Sequence, residues 1–115
     1  PQTKVDLLRR WLCESGYRFL EEKLVRDKEQ LYVVFRVTGG EVSALSEADA
    51  LTGILLRGDP LYGEYLSQHL AKLERARDGL AVSSLSDRDA RIARLQGLIE
   101  EIGKRKGEWE HGNRM

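Results

Sequence analysis

The sequence predicts an α+β chain: one helix and a β-hairpin, followed by an antiparallel two-helix coiled coil. Three observations carry that expectation. Residues 3–15 space Val5, Leu8, Trp11 and Leu12 as one face of a helix. Residues 17–37 hold two apolar stretches separated by a polar run, and beyond Pro60 apolar residues recur at alternating threes and fours. With 115 residues there is room for one modest core, or for part of a larger one.

In the first helix Leu7 lies alongside the apolar face, Arg9, Arg10 and Glu14 fall on the other side, and Gly16 suits the stop. Strands over residues 17–25 and 31–37 are then joined by the five-residue polar loop Arg26-Asp27-Lys28-Glu29-Gln30. The second strand is apolar at successive positions, Leu31-Tyr32-Val33-Val34-Phe35. Because strand side chains alternate between faces, both of its sides are expected to be covered. One helix shields only one face of a two-stranded sheet, so the rest of a sheet is expected from a partner chain or from a missing N-terminal portion. The start at Pro1 without a methionine fits removal of an initiator Met or a chain cut from something longer.

Gly39-Gly40 ends the hairpin, and Ser46 with Asp49 three residues on caps a short helix through Leu51 that Gly53 interrupts. Residues 53–60 form a tucked connector, with Asp59 as helix N-cap and Pro60 in the first turn. Residues 1–59 and 60–115 are thus read as two domains. In the second, Leu66, Leu70, Leu73 and Leu80 form a seam with Arg77 at the intervening position. Residues 82–85 turn, Ser86 with Asp89 opens the next helix, and Ile92, Leu95, Ile99 and Ile102 continue through Lys106 and Trp109. Gly97, Gly103 and Gly107 predict fraying toward its end, and residues 111–115 a disordered tail.

Composition excludes several function classes. Nineteen Lys plus Arg balance nineteen Asp plus Glu, which argues against bulk electrostatic capture of DNA, RNA or a membrane surface. No apolar run approaches the roughly 18 to 20 residues of a membrane span, and no signal peptide is evident. Cys13 is the single cysteine, which excludes an internal disulfide and favours a cytoplasmic setting. Near the end of a helix it lacks the dipole that would stabilise a thiolate, so it reads as a packing residue. Trp11 and Tyr17 beside it read as core or interface rather than a base-stacking platform. His69 and His111 have no Cys or carboxylate at metal-ligand spacing, and His69 is expected to be solvated on its charged helix. Thr38-Gly39-Gly40 lacks the spacing of a phosphate loop. Glu21 and Glu22, adjacent on a strand, point to opposite faces and suit a solvated hairpin edge better than paired acid/base work.

Basic residues supply the one candidate site. Arg88, Arg91 and Arg94 recur every third position, and Lys72 and Arg75 lie on the helix expected to run antiparallel, together a possible cationic ridge for RNA phosphates. Against it, residues 60–115 hold ten Lys plus Arg and nine Asp plus Glu, the composition of an ordinary solvated surface.

The order of short motifs resembles one family. Leu8-Arg9-Arg10-Trp11-Leu12, Glu14-Ser15-Gly16-Tyr17, Glu22-Lys23-Leu24-Val25 with Tyr32, Gly53-Ile54-Leu55-Leu56 and Pro60-Leu61-Tyr62 through Tyr65-Leu66 resemble the C-terminal half of the bacterial tRNA methyltransferase that modifies N1 of adenine 22. The likeness runs to about residue 105, and the family has a proline where this chain has Ile54. It implies that the helix and hairpin come from the edge of a Rossmann-like methyltransferase sheet, with Pro1 and Gln2 just past a central strand. It also implies that S-adenosylmethionine and the catalytic region belong to an N-terminal half, in the same or a partner chain, with no cofactor held by this segment alone. The coiled coil would then contact tRNA through Lys72, Arg75, Arg88, Arg91 and Arg94. The alternative is an adaptor or oligomerisation module whose seam binds another helix, without RNA.

Overall fold

The structure, a computed structural model, describes residues 4–113. Its elements in order are α1 (Val5–Glu14), β1 (Tyr17–Asp27), β2 (Gln30–Gly39), α2 (Glu47–Thr52), α3 (Tyr62–Ala81) and α4 (Arg88–Asn113). They fall into two compact units that part between Tyr65 and Leu66. The expected helix start at Thr3 and the placement of Pro1 and Gln2 lie outside the described residues.

In the first unit α1 stops where Gly16 takes φ 87°, a conformation that costs glycine nothing. The antiparallel hairpin then runs longer than the sequence suggests. Asp27 pairs with Gln30 across a two-residue turn, and Lys28 there adopts φ 58°. The five-residue loop is therefore corrected to two residues. Arg26, Asp27 and Gln30 keep their side chains in solvent, so their polarity does not oppose ladder pairing.

β1 carries a bulge. Phe19 pairs with Val37 and Glu21 with Arg36, leaving Leu20 as an extra residue. A bulge reverses which alternate residues face inward. Phe19 is buried before it, and Glu22 and Leu24 after it. The solvated Glu22 expected from simple alternation is thus corrected: Glu22 points into the core, while Glu21 stays outside.

The two faces of β2 also differ. Leu31 and Val33 are buried by the chain itself, whereas Val34 on the opposite face is 54% exposed. Double coverage of this strand is therefore not met within these residues. Leu12, Cys13 and Phe19 form a core cluster flanked by Phe35, Val37 and Leu45, so the packing role expected of Cys13 holds.

Ser46 caps α2, its hydroxyl accepting from the Asp49 amide at 3.1 Å, as the sequence indicates. α2 closes at Thr52, one residue later than expected, and Gly53 follows at φ 80°. Leu56 tucks the connector down at 1% exposure. α3 begins two residues after Pro60, because Pro60 and Leu61 form a turn held by Asp59: its carboxylate accepts from Leu61 N at 2.9 Å and its carbonyl from Tyr62 N at 3.0 Å.

In the second unit residues 82–87 join α3 to α4. Arg77 reaches back across them to Gln96, donating from Nη1 to Oε1 at 2.9 Å, which sets the two helices side by side and antiparallel. The predicted seam positions Leu70, Leu73, Arg77 and Leu80 are half-buried, as are Ile92, Leu95, Ile99, Lys106 and Trp109, with Ile102 fully buried. His69 is half-buried rather than solvated, because it lies three residues beyond buried Leu66 on the same side of α3.

α4 starts at Arg88, not after Ser86: the Asp87 carbonyl accepts from Arg91 N at 3.1 Å and fills the starting position. The expected fraying and tail at residues 111–113 are corrected too, since α4 continues through Asn113. Arg105 pairs with Glu101, and Lys106 with Glu110, one turn apart around the glycines. Arg114 and Met115 lie outside the described residues. No helix of the described residues is long and apolar enough to cross a membrane.

Candidate functional site

The most constrained side chains meet around Arg9. Sequence periodicity puts it on the polar side of α1, yet it is 1% exposed. Burial of a guanidinium demands partners for its donors. Nε donates to Glu22 Oε1 at 2.9 Å, Nη1 to the carbonyls of Ala50 at 2.8 Å and Leu51 at 2.9 Å, and Nη2 to the Tyr65 hydroxyl at 3.3 Å. The two carbonyls belong to the last turn of α2, where no helical partner exists and a cation complements the dipole. Arg9 is therefore a C-terminal cap donated by another helix, with its guanidinium 5.4 Å from the centre of the Phe35 ring.

Glu22 completes the arrangement. Its Oε2 accepts from the amides of Ile54 and Leu55, each at 2.8 Å, fixing the connector just past Gly53. A Cβ added at Gly53 would lie 3.0 Å from Arg9 Nη2 and from both Glu22 oxygens, so the residue's small size and positive φ are both used. Tyr65 donates to Leu51 O at 3.0 Å, and burial pushes its phenol up from the ordinary tyrosine value, with Arg9 opposing. Nearby, Asp59 accepts from Leu24 N at 2.8 Å, and the exposed Arg26 forms a two-armed pair with Glu64, one arm 2.8 Å long, that holds the Glu64 carboxyl below its usual range. This network holds; it does not react. Each Arg9 side-chain nitrogen donates to a fixed acceptor and both Glu22 oxygens are occupied.

The sequence missed this centre. Its available signal was the placement of Arg9 three residues before Leu12 and four before Cys13, on their side of the helix. The bulge that turns Glu22 inward has no comparable signal.

Other candidates are placed as follows. Trp11 and Tyr17 stack at 6.3 Å with an interplanar angle of 29°, but Trp11 is 58% exposed. A groove of about 490 Å³ lies by the base of the hairpin, lined by Cys13, Tyr17, Arg18, Phe19 and Gly40 among others. Among the described residues no group of three or more His, Cys, Asp or Glu is placed to hold a metal.

Of the five basic residues assigned to RNA, Lys72, Arg75, Arg91 and Arg94 are exposed and Arg88 is half-buried. Arg88 donates to the Ser83 carbonyl at 3.1 Å and lies 3.5 Å from Asp89, and Arg91 pairs with Asp87 at 2.7 Å. With Arg77 level with Gln96, Arg75 falls level with about residue 98, roughly 6 Å along the axis from Arg94. The structure thus brings the five onto one helical hairpin, with Arg88 and Arg91 partly neutralised.

The described residues thus form a helix and hairpin braced by a buried ion pair, followed by a charged two-helix arm. A family profile for TrmK, tRNA (adenine(22)-N(1))-methyltransferase, matches residues 1–105, and the chain belongs to that family. The chain also matches the crystal structure of the Bacillus subtilis m1A22 tRNA methyltransferase TrmK, with TM-score 0.72 and 15% identity over 88% of this chain and 47% of that one. A candidate tRNA (m1A22) methyltransferase from Streptococcus pneumoniae, solved with S-adenosyl-L-methionine, matches with TM-score 0.63 and 25% identity, over 89% of this chain and 44% of the other. A Listeria monocytogenes structure of uncharacterised role matches with TM-score 0.68 and 13% identity, over 91% and 48%. The chain therefore spans about half the length of these structures. A comparison with curated proteins found no match.

Proposed function

We propose that this chain is the C-terminal portion of a cytoplasmic, S-adenosylmethionine-dependent tRNA (adenine-N1)-methyltransferase, supplying sheet-edge strands and a helical arm that contacts tRNA. The single observation behind this reading is the family match across residues 1–105. The intact enzyme would transfer a methyl group to a ring nitrogen, a reaction governed by orientation of donor and acceptor, on a base exposed from its pairing. In this reading the methyl donor belongs to the other half of the enzyme. Gly40 donates its amide to Gly16 O at 2.7 Å, and a Cβ there would meet Arg18 Cβ at 3.0 Å, so its smallness serves hairpin packing rather than a cofactor cradle. An adaptor with an open helical seam has no comparable match in its favour.

In this reading Lys72, Arg75, Arg88, Arg91 and Arg94 touch tRNA phosphates. Reversing Arg88 and Arg91 to Glu in the full enzyme should weaken tRNA binding and flatten its dependence on log salt by about 0.7 to 0.9 for each phosphate no longer neutralised. Salt titration of binding reads both effects. Unchanged affinity and slope would remove these two arginines from the interface.

A further inference from the structure

The first turn of α3, from Tyr62 to Tyr65, belongs to the first unit, and the helix then runs unbroken to Ala81. Tyr62 and Tyr65, three residues apart on one side, are only 4% and 6% exposed. That side is fixed to α2, because the Tyr65 hydroxyl donates to Leu51 O and accepts from Arg9. A helix held along one row of contacts can still rock about it. Glu64 is turned about 200° from Tyr62 and about 100° from Tyr65, away from the buried side. There the guanidinium of Arg26, on β1, grips both of its carboxylate oxygens from 38 residues away in sequence.

We infer that Arg26 and Glu64 are positioning residues for methyl transfer: their pair fixes the direction of α3 at its root, and so the place to which tRNA held farther along that helix is delivered. The inference rests on the reading above, in which residues of α3 and α4 touch tRNA. Energy argues that stability is not the use of this pair, since its side chains are 40% and 42% exposed and ion pairs in solvent add little to folding. Geometry argues for direction, because two parallel bonds from a planar fork set an angle as well as a distance. Arg26 also has a firm base. Leu24, two residues before it on β1, donates its amide to Asp59 Oδ2 at 2.8 Å, and Asp59 Oδ1 accepts from Leu61 N just ahead of α3. Leverage makes the angle matter: α3 has 20 residues, roughly 30 Å, so a tilt of about 10° at its root carries the far end roughly 5 Å. Misplacing a reactant by about 1 Å already costs on the order of 100-fold in rate.

The test uses the full-length enzyme. Arg26→Glu, Glu64→Arg and the exchanged double variant are compared with wild type in single-turnover methylation of tRNA, in tRNA binding and in thermal melts. Each single variant should methylate at least about tenfold more slowly at saturating tRNA, while the Kd for tRNA changes less than about threefold and Tm by no more than about 4 °C. The two singles change net charge in opposite directions, so a loss common to both separates geometry from simple attraction of phosphate. The double variant, which restores the pair with its ends exchanged, should recover most of the rate. Glu64→Gln, too mild to disturb folding, should show the same loss to a smaller degree. Single variants that methylate at the wild-type rate overturn the proposal and leave the methyltransferase reading intact. So does a loss that the double variant fails to recover, or one that tracks a fall in Tm or in tRNA affinity. A wild-type enzyme that binds the methyl donor yet leaves tRNA unmethylated overturns the reading itself.

Discussion

The two units of the chain solve the same problem by different means. The first is pinned by a few buried polar groups that each hold several fixed partners; the second is zipped by a repeating seam in which most positions stay half-buried. Arg9 and Glu22 are almost wholly enclosed, whereas Arg77, the charged residue at the heart of the second seam, keeps about a third of its side chain in solvent. The contrast teaches that a buried charge is rigid but unforgiving, while a half-buried one tolerates change.

The largest effect should come from splitting the buried pair. Arg9→Met or Glu22→Leu alone should cost about 3 to 5 kcal/mol in urea unfolding, since each strands a buried charge. The double variant should recover a large part of that, leaving mainly the loss of the backbone groups that both residues satisfied. If the singles cost under about 1 kcal/mol, the pair is not the pin described. Next, Gly53→Ala should cost about 2 kcal/mol, combining a strained positive φ with crowding against Arg9 and Glu22.

Tyr65→Phe should cost about 1 kcal/mol by deleting the hydroxyl that joins Arg9 to Leu51. It should also change the alkaline response. Because burial raises the folded phenol above its unfolded value, the unfolded state loses its proton first, and stability falls as pH rises from about 10 toward the folded value. The variant should lack this contribution, as thermal melts across that range would read. Least of all, Arg77→Leu in the second unit should move stability by under about 1 kcal/mol in either direction, because seam apolarity offsets the lost bond to Gln96. A cost like that of Glu22→Leu would erase the distinction between the units.

Legibility follows the same division. The seam of α3 and α4 could be read because Leu70, Leu73, Ile92, Leu95 and Ile99 repeat with helical period, and the structure keeps each at its predicted position. The cap at Ser46 and the glycine stops at Gly16 and Gly53 were likewise visible as local chemistry, whereas Asp59, expected as a helix N-cap, instead holds the turn before α3. The Arg9 centre was not, because its partners lie 13, 41, 42 and 56 residues away and nothing local announces them. Turn length failed for a related reason: polarity at Arg26, Asp27 and Gln30 records solvent exposure, which a strand edge offers as readily as a loop.

Leu20 has a last consequence, for counting. Its insertion makes β1 two half-strands of opposite parity, with the odd-numbered Phe19 inward before it and the even-numbered Glu22 and Leu24 inward after it. Losing Leu20 would remove the bulge and leave Glu22 inward opposite Phe35, whereas losing Glu21 with the bulge kept would turn the rest of β1 over and bring Lys23 to the place of the acid. Any comparison of related sequences that places a gap in this strand is deciding, knowingly or not, which charge lies inside the protein.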